Sequence, residues 1–312
     1  MNRPKRHHYL PQFYLEGFTR DGLLWVYDRK TKTTRKQTPV NTAVESDFYT
    51  YVDLKGNESA EIEKLFARLE GYTKPVIDLL TNRQEVSVEQ RGLVAGFIGT
   101  LYIRTPGFRR MSDGMREQMM RRVMRLSLPD VDTAATRLPQ MRTGGPNVEG
   151  WTPAQALEVA QNPDDYGIDF PLNVSLHTML TLLPQLAPLL WDLKWTIMHA
   201  PQNKSFVTSD VPFLLFSPSG HKPGFPGVGL MTPGAVKVVP LSQRACLVMG
   251  DLSPGSPIKH VDAESEWVRN VNLTATKNCE RFVIGPVSTL VASLVRATAV
   301  DRTDPPKRFQ VG

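Results

Sequence analysis

The sequence predicts an α+β protein that consists of an N-terminal box with a small antiparallel β unit, a central helical bundle and a β-rich C-terminal part. Short runs typical of strands occur in residues 23–51 and again in 195–249, whereas apolar residues recur every three or four positions in 58–126. The strand-like and helix-like stretches are thus segregated along the chain, which is typical of α+β rather than α/β folds.

The N-terminal box comprises residues 8–18, with the sequence HYLPQFYLEGF. Proline suits the first turn of a helix, so Pro11 marks a helix start, and Tyr14, Leu15 and Phe18 supply its apolar residues. A histidine at position 8 is not needed for such a helix. His8 therefore either caps and packs, or takes part in chemistry.

Three short strands are predicted after the box, at residues 23–28, 34–40 and 45–51, and together they make the small antiparallel β unit. The last third of the chain also contains strand-like runs, with one late helix predicted over 263–277 and a returning strand over 281–284.

The middle of the chain predicts helices. One spans residues 58–80, and the next starts at Ser87, where Ser87 and Gln90 form a capping-box pattern. Because the connection between them is short, we expect an antiparallel helical hairpin, which Pro106 closes.

A further helix is predicted over residues 107–126. Its apolar residues share one face and three arginines share another: Met111, Met115, Met119, Val123 and Leu126 against Arg110, Arg121 and Arg125. Methionine at this spacing is more often core filler than a binding surface. The arginine face would suit a phosphate backbone or simply solvent.

Residues 1–312 are expected to form a single domain, with a subdivision near 129–150 into 1–128 and 151–312. Proline, glycine and weak periodicity predict a surface loop over 129–150. The longest apolar stretch, 172–193, contains Pro184 and Pro188 and predicts a buried, kinked helix rather than a membrane span.

The composition is that of an ordinary globular protein, with 41% hydrophobic and 22% charged residues. The two cysteines and the polar N-terminus predict a cytoplasmic protein without a signal peptide. Residues 1–150 hold 24 Lys and Arg against 18 Asp and Glu, so the whole net charge of +6 lies there. This excess favours an anionic partner such as nucleic acid, and it is equally compatible with mere solubility.

Several common enzyme signatures are absent from the sequence. There is no Cys-x-x-Cys, His-Glu-x-x-His or His-x-His spacing for a metal. No phosphate-cradling glycine loop and no Gly-x-Ser-x-Gly nucleophile elbow occur either. The sequence therefore argues against zinc hydrolases, nucleotide-loop enzymes and α/β-hydrolase-type nucleophiles.

Glu70 and Arg104 are candidate site residues because each lies at the border of its helix's apolar stripe. Charges that face inward from neighbouring helices are expected to be paired. They can form a semi-buried structural ion pair, which is the favoured interpretation. Alternatively, Arg104 binds a phosphate or carboxylate in a forked geometry while Glu70 orients it.

The segment 208–212 (TSDVP) ends one strand and starts another, with Ser209 and Asp210 at the bend. Asp210 is either a site residue at a strand end or the cap of an Asx-type turn. On the predicted late helix, Asn272 can donate to a bound oxygen or serve as a structural bridge.

These motifs together resemble the domain-of-unknown-function 4238 family, which is found widely in bacteria. The similarity runs through most of the chain, in the order of the family: the His-x-x-Pro-x-x-Tyr-Leu-x-x-Phe box, Asn41–Thr50, Leu69-Glu70, Ile103–Pro106, Phe206–Pro212, Pro240–Ser242 and Arg281–Val283. The resemblance implies little about activity beyond a weak association with toxin and phage-defence systems. Glu70, Arg104 and Asp210 fall inside these motifs.

The leading hypothesis is a cytoplasmic nuclease-like enzyme that processes phosphodiesters, as a toxin or defence protein. In it His8 is the general acid or base, Arg104 neutralises phosphate charge, and Asp210 with Glu45 or Glu70 orients water, His8 or Mg²⁺. Five further residues are expected to contact substrate: Glu45, Tyr14, Ser209, Asn272 and Arg110. A non-catalytic nucleotide or nucleic-acid binding module and a purely structural polar network are the alternatives.

Overall fold

The computed structural model describes residues 6–46, 51–52, 58–59, 61–141, 150–162, 168, 170, 172–217 and 229–300. The helices are α1 Gln12–Glu16, α2 Glu61–Thr81, α3 Val88–Ile103, α4 Pro106–Ser127, α5 Val131–Met141, α6 Pro153–Gln161, α7 Leu172–Trp191, α8 Ser265–Asn278 and α9 Ser288–Thr298. A 3-10 turn spans Pro39–Asn41. The mixture of segregated helices and sheets confirms the α+β class.

The strands are β1 Arg6–His8, β2 Leu24–Asp28, β3 Thr33–Gln37, β4 Val44–Ser46, β5 Tyr51–Val52, β6 Glu58–Ser59, β7 Leu193–His199, β8 Thr208–Ser209, β9 Leu214–Phe216, β10 Val236–Pro240, β11 Ala245–Leu252, β12 Lys259–Asp262 and β13 Phe282–Gly285. A four-stranded sheet has the order β3-β2-β13-β8, and a five-stranded sheet has the order β12-β7-β11-β10-β9. Only β12 runs parallel to its neighbour within these two described sheets.

The predicted three-stranded β unit is wrong in its third strand. β2 and β3 pair as expected, but the next neighbour of β2 is β13, more than 250 residues later in the chain. β4 instead pairs with β1, so that Glu45 lies opposite His7. Part of the predicted third strand, residues 47–50, lies outside the described residues.

The helical hairpin of α2 and α3 is confirmed, and α2 contains Pro75 as expected. The hydroxyl oxygen of Ser87 accepts from the backbone N–H of Gln90, whose side chain accepts from the Ser87 backbone in return. Pro106 ends this hairpin by starting α4 at its first helical position, where its missing N–H is not needed.

The loop prediction over 129–150 is wrong for residues 131–141, which form α5. Asp130 accepts a hydrogen bond from the backbone N–H of Thr133 at the start of this helix, at 2.7 Å. Ala134 and Leu138, four positions apart, pack into a small core with Met124 and neighbours on α6. Residues 142–149 lie outside the described part of the chain.

The described residues form two compact units. One contains the chain up to Phe108 and again from Leu176 onward, and the other contains Arg109–Ser175. The N-terminal β strands and the C-terminal strands thus share a unit, and the boundaries lie at positions other than the 129–150 segment proposed from sequence. The middle segment is an insertion that has its own core between α4, α5 and α6.

The N-terminal box is part of the core of the first unit. Leu15 and Phe18 are fully buried, and the ring of Phe13 lies 5.0 Å from that of Phe97 on α3. Burial of these side chains fixes α1 against the hairpin, and His8 lies four residues before α1, at the end of β1. Among the described helices, none is long and apolar enough to cross a bilayer.

Candidate functional site

An open cleft of about 350 Å³ lies where the N-terminal box meets α2 and the end of α3. It belongs entirely to the first unit. Its volume is at the lower end of the range for small-molecule sites. The residues that line it are His8, Gln12, Phe13, Glu63, Phe66, Ala67, Glu70, Gly71, Lys74 and Arg104.

The His8 imidazole is held at the cleft by both ring nitrogens. Its Nε2 lies 3.0 Å from the Val40 carbonyl oxygen, and its Nδ1 lies 3.4 Å from the Gln12 side-chain nitrogen. A carbonyl oxygen can only accept, so Nε2 carries the proton, and an amide nitrogen can only donate, so Nδ1 is the acceptor. The two contacts together fit the neutral Nε2–H tautomer, whose basic nitrogen is Nδ1.

Arg104 links the box to α2. Its Nη2 donates to the backbone carbonyl of His8 at 2.7 Å, and its Nη1 donates to the Glu70 carboxylate. The guanidinium carbon lies 4.7 Å from the centre of the Phe66 ring, in cation–π contact. The structure therefore forms the ion pair that the helix stripes indicate, with Arg104 buried and Glu70 partly open to solvent.

Charges of both signs line the cleft. Glu63 and Glu70 are two helical turns apart on α2 and so share its face. Glu63 lies 3.8 Å from the buried His7 ring, and Lys74 donates to Glu16 at 2.8 Å. The neighbouring Glu16 carboxylate raises the pKa of Lys74, so this lysine is a fixed positive charge at neutral pH.

Three polar residues of this lining were not among the candidates from sequence: Gln12, Glu63 and Lys74. Their spacing in the sequence could have indicated them. Gln12 is four residues after His8, and Glu63, Glu70 and Lys74 follow one another on α2 at intervals of seven and four, which is one helix face.

Asp210 lies outside the cleft lining, so the structure brings together His8, Glu70 and Arg104 but not the fourth predicted site residue. Its buried carboxylate accepts from the backbone N–H groups of Glu280 at 3.0 Å and Arg281 at 2.6 Å. The local turn is made by Ser209 instead, whose hydroxyl donates to the Val211 carbonyl. Asp210 thus ties the β8 end to the start of β13.

Tyr14 and Asn272 are also engaged inside the protein. The Tyr14 hydroxyl donates to the Pro240 carbonyl at 2.8 Å and accepts from the Thr208 hydroxyl at 2.8 Å. Its complete burial raises the pKa of Tyr14 far above the ordinary value. Asn272, which is 2% exposed, donates to Ser205 and accepts from the Val207 backbone, so both side chains connect distant segments.

The remaining candidates lie apart from the cleft lining. Glu45 is exposed on β4, and Arg110 is exposed on α4 in the second unit. Within the described residues, no group of three or more His, Cys, Asp or Glu side chains is placed to hold a metal ion. Cys246 and Cys279 are both buried free thiols, and burial raises the pKa of Cys246, which is unfavourable for a nucleophile.

A second pair of histidines lies outside this cleft, on the parallel strands β7 and β12. Nε2 of His199 and Nδ1 of His260 are 2.9 Å apart, and the two rings are stacked. Desolvation lowers the pKa of His199 to about 4, with smaller effects from Arg83 and His260. No partner pattern for these histidines is visible in the sequence, because their pairing depends on strand register.

Comparison with known proteins leaves the geometry as the main guide to activity. Searches of curated proteins and of solved structures found no match for this chain. The family model described as "Protein of unknown function (DUF4238)" matches residues 6–287, from the start of β1 to Val287, two residues after the end of β13. This span contains the cleft, the N-terminal box and all the motifs that carry the resemblance, and the chain therefore belongs to the DUF4238 family.

Proposed function

We propose that the protein is a phosphodiester-processing hydrolase of nucleic acid or nucleotides, with His8 as its general base. The observation that carries this proposal is the His8 ring itself, which lines an open cleft with its Nε2 3.0 Å from the Val40 carbonyl oxygen and its Nδ1 3.4 Å from the Gln12 side-chain nitrogen. An imidazole held in one orientation at a cleft is suited to general base catalysis.

In this proposal the attacking water, or a ribose hydroxyl of the substrate, takes the place of the Gln12 amide at Nδ1. At 3.4 Å the contact between Gln12 and Nδ1 is long for a hydrogen bond, so its replacement costs little free energy. Nδ1 takes the proton of this water or hydroxyl while its oxygen bonds to phosphorus, the P–O bond to the leaving oxygen breaks, and that oxygen takes a proton from solvent; the imidazolium still donates from Nε2 to Val40. Lys74 and Arg104 supply positive charge on the cleft wall for the phosphoryl oxygens, where charge develops in the transition state.

On the same wall of the cleft, the carboxylates of Glu63 and Glu70 can accept hydrogen bonds from water or bind a divalent ion. Carboxylates are the ligands that Mg²⁺ takes from proteins, usually one or two of them with substrate phosphates and water. The activity assay is therefore run with Mg²⁺, with Mn²⁺ and with a chelator, on single-stranded and duplex DNA and RNA and on bis(p-nitrophenyl) phosphate.

His8→Gln is the decisive variant. The glutamine amide keeps a donor near the Nε2 position for Val40 but has no basic nitrogen, and the backbone carbonyl that accepts from Arg104 is unchanged. We expect turnover to fall by roughly 10²- to 10⁴-fold while the melting temperature stays close to that of the wild type. His177→Gln, an exposed histidine on α7 that is not among the cleft-lining residues, is the matched control and should keep full activity.

The alternative is a binding module that recognises a nucleotide or nucleic-acid end in the same cleft. One observation favours it: Arg104 is already neutralised by Glu70, which suits recognition of a ligand better than strong stabilisation of new charge. If wild-type protein binds nucleotides or oligonucleotides but releases no product under any of the metal conditions, the module is preferred over the enzyme. Growth of cells that express wild type or His8→Gln tests the toxin role.

A further inference from the structure

The helix α4 is apolar on two opposite faces. Its inner face packs Met124 with α5 and α6 side chains, and the partly buried Met120 joins the same core. Its outer face carries four large apolar side chains at intervals of four, four and three residues, which is one stripe. Their exposed fractions are high: Met115 51%, Met119 69%, Val123 44% and Leu126 74%.

A helix with apolar residues on both sides is typical of a position between two packed layers. The described residues of the second unit supply one such layer, made by α5 and α6. Solvated single apolar residues are ordinary, but a contiguous stripe of this kind marks an interaction surface. The stripe spans eleven residue steps, or roughly 16 Å of helix, which is three turns.

The charges that α4 itself places beside the stripe are of one sign. Arg122 and Arg125 are exposed beside it. The two acids of α4 are engaged elsewhere: Asp113 accepts from Arg116 at 2.7 Å and from Ser175 at 2.9 Å, and Glu117 pairs with Arg121. A partner that covers this surface therefore meets apolar side chains and positive charge, with no carboxylate from α4 to balance them.

We propose that the outer face of α4 docks an acidic amphipathic helix of a partner protein. Apolar side chains of that helix would cover Met119 and Leu126, while its carboxylates would pair with Arg122 and Arg125. Methionine adapts its shape to a partner, which suits such a surface. A second copy of this chain fits less well, because two α4 helices would bring together arginines without any acid on the shared face.

The test uses two synthetic helical peptides as probes. Both carry leucines at positions i, i+3, i+4 and i+7, with glutamates at the flanking positions in one and lysines in the other. The Leu/Glu peptide should bind wild-type protein at least about tenfold more tightly than the Leu/Lys peptide, in fluorescence anisotropy or calorimetry. Equal affinity for the two, or no binding of the Leu/Glu peptide up to roughly 100 µM, overturns the proposal.

Charge reversal gives the matched variants. Arg122→Glu with Arg125→Glu should weaken binding of the Leu/Glu peptide and switch the preference to the Leu/Lys peptide, whereas Arg68→Glu, on an exposed position of α2, should change neither. Met119→Lys should weaken both peptides without loss of helix content by circular dichroism. None of these residues lines the His8 cleft, so phosphodiesterase activity should persist in each.

Two other occupants are recognised by separate measurements. A dimer that Met119→Lys abolishes, seen by light scattering of wild-type protein alone, assigns the face to a second copy and overturns the proposal. Binding to phosphatidylglycerol vesicles that the Leu/Glu peptide does not compete assigns it to a membrane surface, with the same consequence.

Discussion

Replacement of Arg104 by methionine tests whether the cleft depends on a buried charge. Methionine retains much of the aliphatic contact with Phe66 but removes both guanidinium hydrogen bonds, one to the Glu70 carboxylate and one to the His8 carbonyl. The variant leaves a carboxylate and a carbonyl oxygen without their charged donor. The box then loses its direct link to α2 through this side chain.

The size of the effect follows from burial. Removal of one partner from a buried ion pair destabilises proteins by roughly 3–5 kcal/mol. Because 22% of the Glu70 side chain is exposed and water can hydrate it, we expect the lower end, roughly 3 kcal/mol. At roughly 2.1 cal/mol/K of unfolding entropy per residue, this loss lowers the melting temperature of the chain by about 5 °C.

Urea unfolding and thermal melts measure this loss, with Arg68→Met on the exposed side of α2 as the control that should be neutral. Glu70→Gln keeps an acceptor for Arg104 but removes the negative charge that compensates the buried guanidinium, so it should also cost roughly 3 kcal/mol. The double variant Arg104→Met with Glu70→Leu should be more stable than Arg104→Met alone, since no buried carboxylate remains. A stabilising role of the pair is refuted if Arg104→Met is as stable as wild type, or if the double variant loses as much stability as Arg104→Met and Glu70→Leu lose separately when their losses are added.

Three further outcomes are expected. Tyr14→Phe should cost roughly 1–3 kcal/mol in urea unfolding, because the Pro240 carbonyl and the Thr208 hydroxyl lose their buried partner. The contribution of His199 to stability should fall by roughly 3 kcal/mol between pH 7 and pH 4, because the pKa of His199 is near 6.5 in the unfolded chain and about 4 in the folded protein, so that acid favours the unfolded chain. His199→Gln should flatten this slope. Asp210→Asn should destabilise by roughly 2 kcal/mol and leave phosphodiester cleavage unchanged, since its carboxylate receives two backbone N–H groups away from the cleft.

Each of these predictions can be contradicted by the same measurement that tests it. A Tyr14→Phe protein of wild-type stability would mean that the buried hydroxyl network contributes nothing. An equally steep loss of stability toward acid in His199→Gln would place the proton uptake elsewhere. Loss of cleavage in a folded Asp210→Asn protein would return Asp210 to the catalytic site, in agreement with the hypothesis from sequence.

Local signals in the sequence predicted local structure well. The capping box predicted at Ser87 is present, because its hydrogen bonds connect residues three apart. α5 was missed although Val131, Ala134 and Leu138 have helical spacing, since the prolines and glycines around them suggested a loop. Such a short helix is stabilised by its small core rather than by its own propensity.

Contacts between distant segments were outside the reach of pattern analysis. The partners of Tyr14 lie 194 and 226 residues later in the chain. Asp210 was expected either to cap its own bend or to serve the site, yet its carboxylate receives backbone N–H groups 70 and 71 residues away. Polar residues at strand ends and in the N-terminal box were recognised as special, but the packing of the box against α2 and α3 decides which ones face the cleft.

In the N-terminal box, the role of the His8 imidazole can be distinguished from the role of the box in packing. Leu15 and Phe18 are buried and fix α1, and the carbonyl that accepts from Arg104 would be supplied by any residue at position 8. The imidazole is therefore not required for the link between the box and Arg104, and its hydrogen bond to the Val40 carbonyl can be made by a simple amide donor. If His8→Gln retains stability and loses turnover, Nδ1 is the reason for a histidine at this position; if it retains both, the histidine serves only to join the box to the turn at Val40.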